Sequence, residues 1–218
     1  MDILTLKSKV KLGCNRCDKC CVYRGDIRLT PTTVCRIAKH LKMDIKDFLE
    51  KYADRIDDKE PEYVFKTIGK NRKCILYSDE IMGCIINTVK PMQCIMFPLV
   101  PENLKRDYFI DNGQCNYIPE KEITVDEWLN GNNKLYKRNK NIYMLWIKFL
   151  EWIQTKWYLL SKEEIDEVYR ILFENYNLKR NTKRQFIRNL YKTEKYIIEK
   201  EKSYGTHNEL KQETIWEN

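Results

Sequence analysis

Four cysteines stand within eight residues near the start of this 218-residue chain, as Cys14-x2-Cys17-x2-Cys20-Cys21. Packing alone has no use for sulfur at that density, because a buried cysteine behaves as a small apolar residue and is satisfied singly. Gaps of two residues let one tight turn aim successive sulfurs at a common centre, as in cysteine-ligated zinc and iron–sulfur sites. The segment is read as part of a metal site.

The chain has nine cysteines, an odd count that argues against a disulfide framework. Met1 to Val10 holds no continuous apolar stretch, and the longest apolar helix candidate, Leu135 to Leu160, is interrupted by Lys148, Glu151, Gln154 and Lys156. The expectation is a cytoplasmic protein with no membrane partner, in a compartment where thiols serve as ligands. Cys74, Cys84, Cys94 and Cys115 occupy short punctuated segments and join Cys14, Cys17, Cys20 and Cys21 as candidate ligands. Eight cysteines would fill two four-cysteine sites, or one site with thiols to spare. Cys35 follows Val34 within a helical pattern and is read as a half-buried structural thiol. His40 and His207 are the only histidines, which leaves imidazole ligation little material. Arg16, Lys19, Arg24, Arg72 and Lys73 flank the candidate ligands and could offset the charge of thiolates on a metal.

Every proline and every cysteine falls at or before Pro119, as do Gly13, Gly25, Gly69, Gly83 and Gly113. The chain is therefore divided into a cysteine-rich domain over 1–120, a helical extension over 121–202 packed on it, and a polar tail over 203–218. The fold class expected is mainly α, with irregular loops and a few short strands. No internal repeat is evident. Thr30-Pro31 starts one helix with Val34, Ile37, Ala38 and Leu41 on a face, and Asp44 caps a second with Ile45, Phe48, Leu49 and Tyr52. Short apolar runs at 63–65, 74–77, 84–86 and 108–110 are strands or ordered loops. Thr124 to Leu129 reads as a capped turn. Ile142, Leu145, Trp146, Phe149, Leu150, Ile153 and Trp157 form one apolar helix face. Ser161 and Glu164 match a capping box for a helix continuing through Tyr176, and a third helix from about Asn181 turns Phe186, Ile187, Leu190 and Tyr191 inward. Trp128, Trp146, Trp152 and Trp157 give the extension more aromatic surface than its helices can bury among themselves, so it is expected to cover the cysteine domain.

The run Cys14-x2-Cys17-x2-Cys20-Cys21, Ile27-x-Leu29-Thr30, Arg36-Ile37-Ala38 and Phe48 to Tyr52 resembles the YkgJ-type cysteine-cluster family, whose CxxCxxCC domain is described as zinc- or iron-chelating. Cys74-x-Leu76, Cys84-x-Ile86 and Lys90-Pro91-x-x-Cys94-x-x-Phe97-Pro98 continue the likeness, with Lys90 where the family has arginine. That departure keeps the charge and loses the bidentate fork. The resemblance covers about residues 13 to 115. It implies that Cys14, Cys17, Cys20, Cys21, Cys74, Cys84 and Cys94 hold metal, and Cys115 joins them by count. The family's likeness in cysteine pattern to flagellin lysine methylase implies protein lysine methylation with S-adenosylmethionine as a candidate activity, and an iron–sulfur reading adds redox chemistry or another cluster-dependent modification. The sequence shows no glycine-rich fingerprint for S-adenosylmethionine, no C-x3-C-x2-C run, and no ferredoxin spacing.

An iron–sulfur protein, with one or two [4Fe–4S] clusters, is the preferred reading, because the donor set is all cysteine. A zinc-stabilised interaction module is the alternative. Its partners would be another protein or a redox partner. A third reading is nucleic-acid binding through a basic helix at 179–195, where Lys179, Arg180, Lys183, Arg184, Arg188, Lys192 and Lys195 meet a single acid, Glu194. Nucleic acid is not the expected partner, since such runs are usually solvated faces.

Overall fold

The computed structural model describes residues 3–13, 19–22, 27–56, 60–101, 108–110, 120–131 and 134–204. In chain order its strands and α-helices are β1 (Lys9–Val10), α1 (Lys19–Val22), β2 (Arg28–Leu29), α2 (Pro31–Leu41), α3 (Ile45–Tyr52), β3 (Ala53–Ile56), β4 (Glu62–Phe65), β5 (Thr67–Ile68), β6 (Lys73–Cys74), β7 (Tyr77–Ser78), β8 (Gly83–Cys84), α4 (Met92–Met96), β9 (Leu99–Pro101), β10 (Tyr108–Ile110), β11 (Ile123–Thr124), α5 (Lys134–Gln154), α6 (Lys162–Tyr169) and α7 (Thr182–Tyr204). The architecture is mainly helical with short strands and loops. Packing divides the chain into two compact units, Met1–Leu29 with Val64–Tyr143, and Thr30–Tyr63 with Met144–Asn218. The first holds every candidate ligand and is called the cysteine unit; the second is the helical unit.

The cysteine unit is built from two-residue pairings around a small core. β1 pairs antiparallel with β11, Val10 opposite Ile123, and β9 pairs with β10, Val100 opposite Phe109. Val10, Leu12, Met92, Ile95, Met96, Leu99, Tyr108, Val125, Leu129 and Tyr136 are buried together. Residues 121–143 thus supply part of this core. Trp128 fixes their position further, since its indole N–H donates to the Met96 carbonyl at 3.1 Å.

The helical unit owes its elements to local rules and its cohesion to aromatic rings. Thr30 caps α2 by accepting from the Thr33 amide at 3.2 Å, with Pro31 in the first turn. Asp44 caps α3 through the Lys46 amide at 2.8 Å. Ser161 and Glu164 satisfy each other's amides at the start of α6. This helix passes into a π-helical turn at Arg170–Glu174 and ends before Tyr176, earlier than the sequence pattern suggests. Tyr169, Phe149, Phe173 and Phe186 are fully buried, with Trp146, Tyr63 and Trp157 in ring contact around them. The Tyr169 hydroxyl accepts from the Glu62 amide at 2.9 Å, and Arg55 stacks on the same ring while pairing with Asp166 at 2.6 Å. One tyrosine therefore joins the β4 segment to α6 by both rim and face.

Ile187 and Tyr191 do not turn inward; they are 37% and 46% exposed. Their expected places on the buried face of α7 are taken by polar residues that have bonds to make there. Gln185 donates to the Asn177 carbonyl at 3.0 Å and accepts from its amide at 2.8 Å. Asn189 donates to the Asn175 carbonyl at 3.1 Å, and Thr193 to Asn189 at 3.0 Å. The loop before α7 has backbone groups to satisfy, and satisfying them decides the rotation of the helix.

Candidate metal centre

Five of the eight candidate ligands lie in the described residues: Cys20 and Cys21 on α1, Cys74 on β6, Cys84 on β8 and Cys94 on α4. Cys14, Cys17 and Cys115 lie outside them.

Cys74 and Cys84 are held by the same device used twice. β5 and β6 form a hairpin with Thr67 opposite Cys74, and β7 and β8 form a second with Tyr77 opposite Cys84. Each turn closes with the same bond, Arg72 amide to Gly69 carbonyl at 3.2 Å and Met82 amide to Asp79 carbonyl at 3.3 Å. Arg72 and Met82 both take left-handed backbone, φ 51° and 43°. After each cysteine the next amide returns to the opposite strand, Ile75 to the Lys66 carbonyl and Ile85 to the Leu76 carbonyl, both at 3.1 Å. Leu76 and Ile86 then plug into the interior at 1% exposure. The strand pairing, the turn-closing bond, the left-handed residue that ends the turn and the returning amide all recur ten positions later, so this segment is an internal repeat, contrary to the sequence expectation. The side chains in the turns differ, Gly69-Lys70-Asn71-Arg72 against Asp79-Glu80-Ile81-Met82, so only the cysteine, the plug residue and the backbone repeat.

The repeat has a chemical consequence. The amide two residues after each cysteine, that of Leu76 or Ile86, donates to the sulfur and favours its thiolate, partly opposing the burial that pushes both thiols up. Amide-to-sulfur bonds of this kind orient thiolate ligands and tune the metal they hold.

The other three described ligands converge on this pair. Met92, Ile95 and Met96 anchor α4 in the core, while Gln93 accepts the Arg28 amide at 2.7 Å. Burial first, then the Cys74 and Cys84 charges, hold the Cys94 thiol well above its ordinary range. Cys21 is also pushed up, by its hydrogen bond with Cys20, by burial and by the charges of Cys20, Cys84 and Cys94. Cys20, Cys21, Cys74, Cys84 and Cys94 therefore sense one another's ionisation across a single locality. Such thiols resist losing protons one by one, and a cation among them reverses that balance for all of them.

Of the cations that flank the candidate ligands, Lys19, Arg72 and Lys73 lie in the described residues. Lys73 is engaged by the Asp79 carboxylate and lies 4.6 Å from the centre of the Tyr77 ring. Arg16 and Arg24 lie outside the described residues. Among the described residues, Lys90 draws both Cys84 and Cys94 toward ionisation. Sequence reading noted Lys90 only as part of the Lys90-Pro91 motif; its proximity to two cysteines follows from the short 3-10 turn at Asn87–Val89 that joins β8 to α4.

Among the described residues, no three Cys, His, Asp or Glu side chains already share a metal-holding arrangement. The chemistry of the five cysteines fits a soft metal or cluster: all sulfur, half-buried, with two amide donors and one ammonium nearby. Cys35 stands apart. It belongs to the helical unit at 2% exposure, and burial pushes its thiol up to about 12. His40 is exposed in the last turn of α2.

A family sequence profile matches residues 13–123, described as CxxCxxCC: putative zinc- or iron-chelating domain. No solved structure matches the chain significantly.

Proposed function

The chain belongs to this zinc- or iron-chelating family, and from that premise we propose that it binds an iron–sulfur cluster of the [4Fe–4S] type and acts in electron transfer or a cluster-dependent reaction. The observation that carries the reading is the gathering of Cys20, Cys21, Cys74, Cys84 and Cys94 from α1, β6, β8 and α4 into one locality, two of them receiving main-chain N–H donors. Cys14 and Cys17 complete the donors on the segment before α1, and Cys115 is carried as a further donor. A bound cluster would supply one-electron chemistry. The chain's own part is to hold sulfurs by paired hairpins, seat α4 with Cys94 against the core and place the Lys90 ammonium where it acts on two of the thiols.

The test is iron and acid-labile sulfide analysis of anaerobically purified protein, with its visible absorption. Equal iron and sulfide with broad visible absorption supports the cluster. Colourless protein carrying zinc and no sulfide would replace it with a zinc-stabilised interaction module.

A further inference from the structure

The seven cations of the 179–195 segment all reach solvent: Lys179, Arg180, Lys183, Arg184, Arg188, Lys192 and Lys195 are exposed. Arg184, Arg188, Lys192 and Lys195 recur every three or four positions and share the outer face of α7. The single acid of the run, Glu194, is 2% exposed and points into the helical unit, so no carboxylate interrupts the stripe. None of the seven is paired within 4 Å with a carboxylate of the described residues, in contrast to Lys46, Lys156 and Lys200. A solvated helix face ordinarily mixes signs; this one is of one sign from Lys183 to Lys195, and the first exposed acid after it, Glu199, lies one turn on and acts on Lys195.

We propose that the outer face of α7 docks on the sugar–phosphate backbone of duplex DNA. This goes beyond the metal reading and does not depend on it. Between Lys183 and Lys195 a straight helix runs about 18 Å. Duplex DNA carries one charge per about 1.7 Å of its axis with both strands counted, so each strand offers about five phosphate charges along that length. The other polyanions fit less well. A bilayer holds a surface helix by a buried apolar face as well as by charge, and the apolar side of α7, with Phe186, Leu190 and Ile197 at 0–1% exposure, is already used in the unit's interior, which leaves charge alone. A single strand is held by stacking on aromatic platforms, and the exposed ring here, Tyr191, is covered by Lys195 at 4.7 Å.

The experiment measures fluorescence anisotropy of a labelled duplex with the full, metal-loaded chain at two salt concentrations. Native protein should bind with a steep loss of affinity as salt rises. Joint replacement Lys183→Gln, Arg184→Gln, Arg188→Gln and Lys192→Gln should weaken binding at least about tenfold and cut the salt slope by about three to four, with metal content unchanged. A matched variant at exposed cations elsewhere, Lys11→Gln, Lys121→Gln, Lys137→Gln and Arg138→Gln, should retain most of the affinity. The proposal is overturned by undiminished binding in the α7 variant or by an equal loss in the matched one. Tighter binding to the single strand, to phosphatidylserine vesicles or to polyglutamate overturns it as well.

Discussion

The two units reach order by opposite means. The helical unit buries rings: Tyr169, Phe149, Phe173 and Phe186 sit at or below 1% exposure, and helix caps satisfy its backbone ends. The cysteine unit has strands two or three residues long, and its half-buried thiols repel one another's ionisation. Packing free energy is sufficient in one. In the other, packing sets a scaffold that the proposed metal would complete, since ligand binding to a loop-rich site contributes directly to folding.

The harshest way to break the comparison is to end the chain at Pro119. That removes Val125 and Leu129 at 0% exposure, Tyr136 at 8%, and the β11 partner of β1, all from the cysteine unit's own core. Three such side chains at roughly 1.5–3 kcal/mol each amount to about 5–9 kcal/mol, comparable with a whole domain's stability. The shortened chain should accumulate as insoluble protein or lose its metal far faster than the native one. A soluble, fully loaded fragment of equal thermal stability would show that residues 121–143 are not part of the cysteine unit's core.

Metal removal sharpens the same contrast with a smaller effect. Chelation should raise amide exchange at Leu76, Ile86 and their hairpins by at least about tenfold, while amides of α6 and α7 keep their protection. Uniform loss of protection across both units would mean that their stabilities are not separable. No change at the hairpins would mean that the metal is not held there.

How much of this was legible in the sequence depends on how local the deciding interaction is. The caps at Thr30, Asp44 and Ser161 are settled within four residues, and the sequence states them outright. The rotation of α7 is decided by backbone groups at Asn175 and Asn177 that lie in a loop, and a count of apolar positions turns Ile187 and Tyr191 the wrong way. The hairpin repeat escapes because turn geometry, not residue identity, is what recurs; the signal available was the Cys-x-Leu76 and Cys-x-Ile86 pair at a spacing of ten. The compositional break near residue 120 follows local punctuation, whereas the packed units change at Leu29, Tyr63 and Tyr143. Helices α2 and α3 lie in the punctuated half of the sequence and in the helical unit of the fold. Composition records propensity; only contacts record partnership.

The mildest test asks whether Cys35 belongs to the metal chemistry or to packing alone. Its thiol is 2% exposed and shielded by burial, with a pKa raised from 9.0 to about 12. Replacement Cys35→Ala should leave metal content unchanged and cost about 1–2 kcal/mol, the order expected for deleting one buried atom of methyl size. The pH dependence gives a second handle with a definite sign. The folded state holds this proton more tightly than the unfolded chain does, so the contribution is fully present below pH 9 and is lost as pH rises through about 12. The stability gap between native protein and Cys35→Ala should therefore be constant up to about pH 8.5 and narrow above it, measured by urea titration at matched metal loading. A gap that widens with pH would mean the thiolate is stabilised in the fold, and a loss of metal in the variant would move Cys35 from the packing of the helical unit into the ligand set.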